Sequence, residues 1–510
     1  MKYIITLLTL GLASVSFAQN YSDALRFSRT DIAGSARYVA MGGSFGALGG
    51  EISGISVNPG GIGVYRNSEF TFTTGFNNYD AETNFRGTSA SDGRFNLNLP
   101  NFGYVGTYKI NSNGWKSYSF GILHNRLSHF GSEQRAFGDS KNSTFVDDHV
   151  NKLNNNNASV AQAGDYDNYP FGPAHAWNTV LIDTLTNQST GLVDYIPYIF
   201  LFQVDSSITG RSSRSVENIA QSRTIDTRGN QAETQFVFGG NFDDKLYLGA
   251  SISIQTANFE RESSFSEKYT YGPNATAVDS HLVVAYRENT LLVSEGRGVN
   301  LKIGAIYKVT EKLRIGLSAQ TPTVMSFDEV FIVDAQSKFA DGFTIDAESV
   351  ESSFGYRLRT PARVNASLAY LFMQQAAFNV DYEYVNYSTS FFNDRNEFNN
   401  DYTPQNDDIE DFLTSAHHVR VGAEYKINPF IIRAGYNYQG NPYSVNFTDA
   451  DESRSTYSIG GGFRNKNFNF DVAMNWRNVE LTEKLYNSVD QTATIDERET
   501  NVVFTFGWRW

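Results

Sequence analysis

Apolar and polar residues alternate one by one in many short runs of this sequence. Apolar residues stand at every second position of residues 246–254, and residues 419–427 and 468–476 repeat the arrangement. Successive side chains of a β-strand point to opposite faces, so each run predicts a strand with one apolar and one polar face. About fourteen such runs begin near residues 68, 101, 115, 231, 245, 297, 312, 356, 376, 416, 429, 455, 467 and 500. An all-β fold is therefore predicted, either a barrel or a sandwich.

The connections between these predicted strands distinguish the two architectures. Tight turns are predicted at residues 111–114, 243–244, 310–311, 373–375, 428–429 and 465–467, and a long polar excursion follows each of them. Outer-membrane barrels combine short periplasmic turns with long outside loops, whereas a sandwich has no reason to sort its loops by length. We therefore expect a transmembrane antiparallel β-barrel of about 14 strands over residues 68–510, with its largest extracellular loop at about 128–230.

The composition agrees with a barrel that meets lipid with alternate side chains. The chain has 29 Tyr, 39 Phe and 42 Gly, yet its mean hydropathy is only −0.37. Aromatic girdles need the first two residue types, and the polar inward face lowers the average hydropathy. The last strand places Val502, Phe504, Phe506, Trp508 and Trp510 on one face. No run of about 18 apolar residues follows residue 18, so a transmembrane helix is not predicted.

The first 18 residues have the order of a secretory signal peptide. Lys2 precedes the apolar run 3–15, and the small residues at 16–18 suit cleavage before Gln19. Export to the outer membrane of a Gram-negative cell is predicted. The chain has no cysteine, which excludes a lipoprotein anchor, a disulfide framework and thiolate chemistry.

The charged residues indicate which partners are expected and what lines the lumen. The net charge of −14 argues against a nucleic-acid partner, and the acidic stretch 406–411 is interpreted as a hydrated loop, with a calcium site as the alternative. Most of the inward-facing charges are expected to pair across the lumen or to contact water, with pore selectivity as the alternative for each of them. These residues are Lys302, Arg314, Arg363, Asp381, Glu383, Arg420, Glu424, Arg433, Asp471 and Arg477.

Residues 19–67 are rich in glycine and do not alternate. Their stretch 56–65, SVNPGGIGVY, has too little preference for helix or strand to hold its shape alone and is too apolar for an ordinary surface loop. A short helix is predicted within residues 33–41. A barrel of about fourteen strands would be left with an aqueous hole, so we expect this segment to lie inside the lumen as an N-terminal hatch, or plug.

The sequence resembles the FadL/TodX/OmpP1-type outer-membrane transporters of hydrophobic compounds, especially members from Bacteroidetes. The resemblance rests on residues 35–69, 319–327, 357–370 and the aromatic C-terminus. It implies a fourteen-stranded barrel with a hatch that takes up long-chain fatty acids or aromatic hydrocarbons passively and releases them sideways into the membrane. The hatch motif of the family, Asn-Pro-Ala, corresponds to Asn58, Pro59 and Gly60, so the third position departs from the pattern.

Two groups of apolar residues are candidates for ligand contact. In the hatch, Phe45, Leu48, Ile52 and Val57 line a pocket or form the core of the plug. In the long loop, the apolar run 195–204 is a candidate capture groove for a hydrophobic ligand, and its alternative is packing of the loop on itself. The residues of this run that carry the expectation are Ile199, Leu201 and Phe202.

Other functions have weaker support in the sequence. Residues 42–46 match G-x-S-x-G, but neither the strand nor the helix of a nucleophile elbow flanks them, so no catalytic residue is assigned. Seven scattered His residues give no haem pair, because His417 and His418 lie on a strand and face opposite ways. A diffusion porin for small polar solutes and a barrel that binds haemin or another surface ligand stay open as alternatives. No metal or cofactor is expected, and the expected partners are a hydrophobic ligand, outer-membrane lipid, lipopolysaccharide and the barrel-assembly machinery, with the protein itself a monomer.

Overall fold

The computed structural model describes most of the chain after the predicted signal peptide. The described residues are 20–110, 112, 114–186, 193–203, 216–272, 282–372, 375–395, 401–445, 452–489 and 491–510. Signal peptide 1–18 and parts of the predicted turns 111–114 and 373–375 lie outside them. Of the helices in this part of the chain, none combines the length and the apolar character needed to cross a membrane.

In the described part of the chain, nineteen strands form one antiparallel sheet and two more form a separate hairpin. The strands are β1 (Glu69–Phe85), β2 (Thr88–Lys109), β3 (Trp115–His129), β4 (Ser132–Ser140), β5 (Ile182–Thr186), β6 (Val193–Pro197), β7 (Val216–Phe242), β8 (Leu246–Tyr271), β9 (Val283–Lys308), β10 (Leu313–Gln320), β11 (Val324–Phe339), β12 (Thr344–Asp346), β13 (Val350–Arg359), β14 (Arg363–Phe372), β15 (Ala376–Asn386), β16 (Phe391–Asp394), β17 (Ser415–Ile427), β18 (Phe430–Gln439), β19 (Arg454–Arg464), β20 (Phe468–Lys484) and β21 (Thr492–Arg509).

The sheet closes into a barrel of 14 transmembrane strands. Four of these strands are interrupted, so that β3 continues as β4, β10 as β11, β12 through β13 as β14, and β15 as β16. The first and last strands pair in antiparallel register from Glu69↔Arg509 to Asn84↔Thr494, which closes the sheet into a cylinder. The predicted strand number and closure are confirmed.

The predicted lipid-facing side chains point outward. On β8, Leu248, Ile252 and Ile254 are exposed, whereas Ser251 and Ser253 are buried inside the barrel. Trp508 of β21 and Trp510, directly after that strand, are both exposed. The alternation therefore gave the correct face for each of these strands, because lipid contacts every second residue.

Several strands begin earlier than predicted. Strands β2, β7, β9 and β21 start at residues 88, 216, 283 and 492, against predicted starts near 101, 231, 297 and 500. The added part of β7, for example, contains the mainly polar run SRTIDTRGN at 222–230. The extensions lie on the long-loop side of the barrel. Outside the membrane a strand does not need one continuous apolar face, so alternation is a poorer signal for such a run.

Within the described ranges, six helices lie inside the barrel or in the long loops. They are α1 (Tyr21–Arg26), α2 (Ala36–Ala40), α3 (Val146–Asn155), α4 (Val160–Ala163), α5 (Pro173–Asn178) and α6 (Thr403–Phe412), with 3₁₀ helices at Ser53–Ser56, Pro59–Val64, Tyr198–Gln203 and Tyr387–Thr389. Helix α2 confirms the predicted short helix. The interpretation of 406–411 as a hydrated loop is wrong, because Ile409 anchors α6 with a fully buried side chain.

The longest excursion folds as a small unit on top of the barrel. Strands β4 and β7 occupy both ends of the predicted loop 128–230, and the unit between them contains α3, α4, α5 and the β5–β6 hairpin. Its core packs on the extensions of β7, β8, β9 and β11. The members of that core that come from the unit itself include Val146, Val150, Leu153, Leu181, Ile182, Tyr195 and Ile199.

Candidate functional site

Residues 20–67 lie inside the barrel and contact its wall on several sides. Helix α2 packs on β18, β19, β20 and β21, and the 3₁₀ helix Pro59–Val64 packs on β7, β8 and β9. Ser35 caps α2 through its side chain, and the Ala36 N–H donates to Thr505 Oγ1 of the wall at 2.7 Å. The glycine-rich segment therefore obtains its shape from the wall that surrounds it, and it is called the plug below.

The wall has glycine where the plug touches it most closely. A Cβ atom on Gly249 would lie 2.1 Å from the Pro59 carbonyl oxygen, and one on Gly304 would lie 2.0 Å from Asn58 Oδ1. Gly249 and Gly304 are register partners on neighbouring strands. We call these inward positions the glycine belt. Its members are Gly239, Gly249, Gly304, Gly316, Gly422, Gly435 and Gly460.

Asn58 joins the plug to the wall with its side-chain amide. Its Nδ2 donates to the carbonyls of Gly46 at 2.6 Å and Ala305 at 3.2 Å, and its Oδ1 accepts from the Gly60 N–H at 2.9 Å. A Cβ on Gly60 would lie 3.0 Å from the backbone of Gly304 and Ala305. Glycine at the third position of the Asn-Pro-Gly sequence thus permits this close approach to β9.

Substituting Asn58 with alanine is expected to loosen this contact. The variant loses the cap of the 3₁₀ helix and leaves two buried carbonyls without their donor, which costs about 1–3 kcal/mol. Hydrogen–deuterium exchange over residues 53–64 should become faster. The exposed Asn67→Ala is the matched control, and equal exchange in both variants would contradict the assigned role.

Most of the inward-facing charges of the barrel are paired, as the sequence led us to expect, whereas Arg314 donates to the Leu48 carbonyl of the plug. Lys302 Nζ lies 2.6 Å from Glu233 Oε1, and both side chains are at most 5% exposed. A second network joins Arg363 and Arg420 through Glu383. Further pairs join Glu424 with Arg433, Arg433 with Asp471, and Arg477 with Asp31 and Glu499. Asp381 instead accepts hydrogen bonds from the Phe45 and Gly46 N–H groups of the plug.

Removing one member of the Lys302–Glu233 pair should destabilise the protein strongly. Lys302→Met leaves the Glu233 carboxylate buried without its partner, for which about 3–5 kcal/mol is typical. Thermal unfolding in detergent should show a lowered Tm, and most of the loss should be recovered in the double variant Lys302→Met/Glu233→Gln. A double variant that is no more stable than the single one would contradict a paired charge.

A cavity lies between the plug and the upper part of the barrel. Its lining includes Asp31, Ser56 and Val57 of the plug and the charged groups Lys302 and Glu383 of the wall. Phe27 also lines it and belongs to the apolar cluster that includes Ile409 of α6 in a long loop. The Phe27 ring is 4.5 Å from that of Phe327 and 6.0 Å from that of Phe130, measured between centroids, and further aromatic residues continue this apolar zone. The lower part of the cavity is thus polar and its upper end is aromatic.

The barrel wall is interrupted beside this cavity. The hydrogen-bonded ladder between β2 and β3 ends at Asn101↔Asn125, although β2 continues to Thr88. Within the described residues, β4 pairs with β7 alone. We call the gap between residues 88–100 of β2 and the facing residues 126–140 of β3 and β4 the seam.

The plug pairs with β3 where β2 does not. The pairing of β3 with β7 shifts register between Arg126 and Ser128, so that Leu127 forms a bulge. The Leu127 carbonyl accepts from the Asp31 N–H at 2.7 Å, and Ser128 Oγ donates to the Arg29 carbonyl at 3.1 Å.

Across the seam, Asn96 Nδ2 lies 3.3 Å from His129 Nε2, and Arg135 contacts Asp92. Both polar atoms of the Asn98 side chain are buried without a partner among the described residues. Side chains, rather than a backbone ladder, therefore close the wall at this point.

The predicted ligand residues lie in different environments. Phe45, Leu48 and Ile52 are buried among plug and wall residues, while Val57 lines the cavity. Ile199 is buried in the core of the loop unit, which agrees with the packing alternative. Leu201 and Phe202 belong to the 3₁₀ helix Tyr198–Gln203, and their side chains are outside the described part of the structure.

Sequence reasoning missed Phe27, Leu127 and Phe130, which border the cavity or its aromatic end. Leu127 and Phe130 lie where the barrel strand formed by β3 and β4 is interrupted. No local sequence pattern predicts this interruption. An aromatic residue between polar neighbours, as in RFSR at 26–29, is the one available signal for Phe27.

The histidine pair and the G-x-S-x-G serine, which were considered for haem binding and catalysis, make contacts that hold the fold together. His417 is exposed on the outer face next to Tyr382, whereas His418 is buried inside next to Tyr387, so the expected opposite orientation is confirmed. Ser44 of the G-x-S-x-G match is fully buried in the plug and donates to the Asn379 carbonyl. Within the described residues, no group of three or more His, Asp or Glu side chains could hold a metal ion.

Comparisons with known proteins agree on one family. The family model described as "Outer membrane protein transport protein (OMPP1/FadL/TodX)" matches residues 222–508. Among solved structures, the chain is similar to the P. putida toluene transporter TodX, with 12% identity, a TM-score of 0.53, and coverage of 94% of this chain and 99% of that one. A Pseudomonas aeruginosa FadL homologue has the same identity and coverage and a TM-score of 0.56. No curated protein matches the sequence significantly.

Proposed function

Because the chain belongs to the OMPP1/FadL/TodX family of outer membrane transport proteins, we propose that it admits long-chain fatty acids or aromatic hydrocarbons passively through the outer membrane. The ligand enters from the loop side, reaches the cavity beside Phe27, and leaves sideways through the seam into lipid. The plug acts as a hatch that closes the straight route. The structural relative TodX is a toluene transporter, and toluene is an aromatic hydrocarbon of this class.

Gating by the plug is supported by its contacts with the wall. The glycine belt lets backbone meet backbone, so little space is left between plug and barrel. Ion pairs such as Lys302–Glu233 add fixed charges along the lumen. A molecule that gains about 0.8 kcal/mol for each CH₂ transferred out of water gains nothing by passing such groups. A hydrophobic ligand is therefore expected to avoid the straight route.

Lateral release rests on the seam, which is the single observation that carries this proposal. A regular β-barrel wall offers a ligand no passage, because each backbone group is bonded to the neighbouring strand. Here β3 bulges at Leu127 and bonds to the plug, and the cavity extends to Asn125, Arg126 and Leu127. Side-chain rotation and small shifts of the plug would open this part of the wall without breaking a strand pair.

The porin alternative predicts a different uptake pattern, which provides the test. The protein would be expressed in a Gram-negative host that lacks its own fatty-acid channel, and uptake of labelled oleate would be compared with uptake of labelled arabinose. We expect oleate uptake to depend on the protein and arabinose uptake to be independent of it. Arabinose permeation without any effect on oleate would contradict the proposal and favour the porin.

A further inference from the structure

A second cavity lies below the plug, at the tight-turn end of the barrel. This end faces the periplasm in outer-membrane barrels. The plug contributes Arg37, Leu48 and Tyr65 to its lining, and the wall contributes residues near the ends of β10, β15, β17, β19 and β21. We call this cavity the vestibule. It is separate from the cavity beside Phe27, because no residue lines both.

The vestibule is strongly basic, although the whole chain has a net charge of −14. Its lining contains seven cationic and three anionic side chains. The cations are Arg37, Arg66, Lys312, Arg314, Lys426, Arg464 and Arg509, and the anions are Glu69, Glu311 and Glu424.

All three anions of the vestibule already have cationic partners. Glu69 pairs with Arg509, Glu311 pairs with Lys308, and Glu424 pairs with Arg37 and Arg433. Of the remaining cations, Arg66 pairs with Asp244. Lys312, Arg314, Lys426 and Arg464 form no ion pair within the described part of the chain.

Two of these four cations have buried nitrogen atoms that make no hydrogen bond. Arg464 Nε and Arg314 Nε are both buried without a partner among the described residues, while Arg314 Nη1 donates to the Leu48 carbonyl at 2.8 Å. A buried donor without a partner is costly, and a bound anion that accepts from it removes this cost. Guanidinium groups bind the oxygens of carboxylates and phosphates especially well.

We infer that the vestibule is a binding site for an oxyanion, a carboxylate or a phosphate group, carried by an amphiphile. Arg464 and Arg314 bind the anion, and Lys312 and Lys426 add positive charge at the rim. The apolar part of the amphiphile lies on Leu48, Val64 and Leu371, which line the same cavity. The site is independent of the proposed transport, because its residues border neither the seam nor the aromatic zone.

Calorimetric titration of the purified full-length protein in a zwitterionic detergent tests this site. The probes are inorganic phosphate and octyl phosphate, the latter below its micellar concentration. Binding of either probe to the wild type supports an oxyanion site, and binding of octyl phosphate alone identifies the amphiphile as the source. Loss of one charged hydrogen bond should weaken binding roughly tenfold or more in Arg464→Gln.

Lys426 is exposed, so Lys426→Gln keeps the test valid if Arg464→Gln fails to fold. A smaller loss of affinity is expected for Lys426→Gln than for Arg464→Gln. Arg498→Gln removes the same charge near the loop end of β21 and is the matched control, which should bind like the wild type. Absence of binding of both probes to the wild type would overturn the inference. Equal affinities in the wild type, Arg464→Gln and Lys426→Gln would overturn it as well.

Discussion

Cross-linking the seam is expected to stop uptake of hydrophobic compounds while leaving the barrel intact. The chain has no cysteine, so Asn96→Cys/His129→Cys introduces the only two thiols. The native side chains meet at 3.3 Å across the seam, within reach of a short bis-methanethiosulfonate reagent. Oleate uptake should fall at least about tenfold, equivalent to about 1.4 kcal/mol of added barrier, and should recover after reduction.

A second cysteine pair serves as the control for this experiment. Glu480 and Asp496 are exposed register partners in the regular ladder between β20 and β21. The same reagent applied to Glu480→Cys/Asp496→Cys should leave oleate uptake unchanged. Lateral release through the seam would be disproved if the seam cross-link formed completely and uptake continued at the rate of the wild type.

Filling one position of the glycine belt is expected to open the straight route through the barrel. In Gly249→Val the added side chain would overlap the Pro59 carbonyl, so the plug has to move away from β8. Overpacking of this kind costs about 1–3 kcal/mol, enough to shift a closed-to-open equilibrium roughly 5- to 150-fold. Liposome swelling in arabinose should then report a polar solute flux that the wild type lacks.

Gly461→Val controls for the effect of valine on the barrel itself. Gly461 lies in β19, and an added Cβ would meet only the Ile431 carbonyl oxygen, at 3.6 Å. Its swelling rate should equal that of the wild type. If Gly249→Val and Gly461→Val both remained impermeable to arabinose, the plug would not be held closed by its fit to the wall.

The sequence was most informative where lipid or buried charge constrains single positions. Alternation identified the outward face of β8 because lipid contacts Leu248, Ile252 and Ile254 in turn. The inward position of Lys302 required a partner, and the structure provides Glu233. Each of these predictions concerns whether a single side chain faces lipid or the lumen, and the alternation of the sequence indicates this directly.

Features that depend on the register between strands were not predictable in this way. The members of the glycine belt are visible in the sequence, but only the pairing of Gly239, Gly249 and Gly304 brings them to one level. Likewise, nothing in the residues around Leu127 indicates that β3 leaves β2 and bonds to the plug. The seam therefore could not be anticipated, whereas the need for a plug could.

The close fit between the plug and the glycine belt has a consequence for biogenesis. The plug is joined directly to β1, and the barrel closes where β1 meets β21, the last strand of the sheet in chain order. A cylinder that closed first would have to admit a folded insert whose backbone touches its inner surface on several sides. The insert therefore has to be in place before the two terminal strands pair.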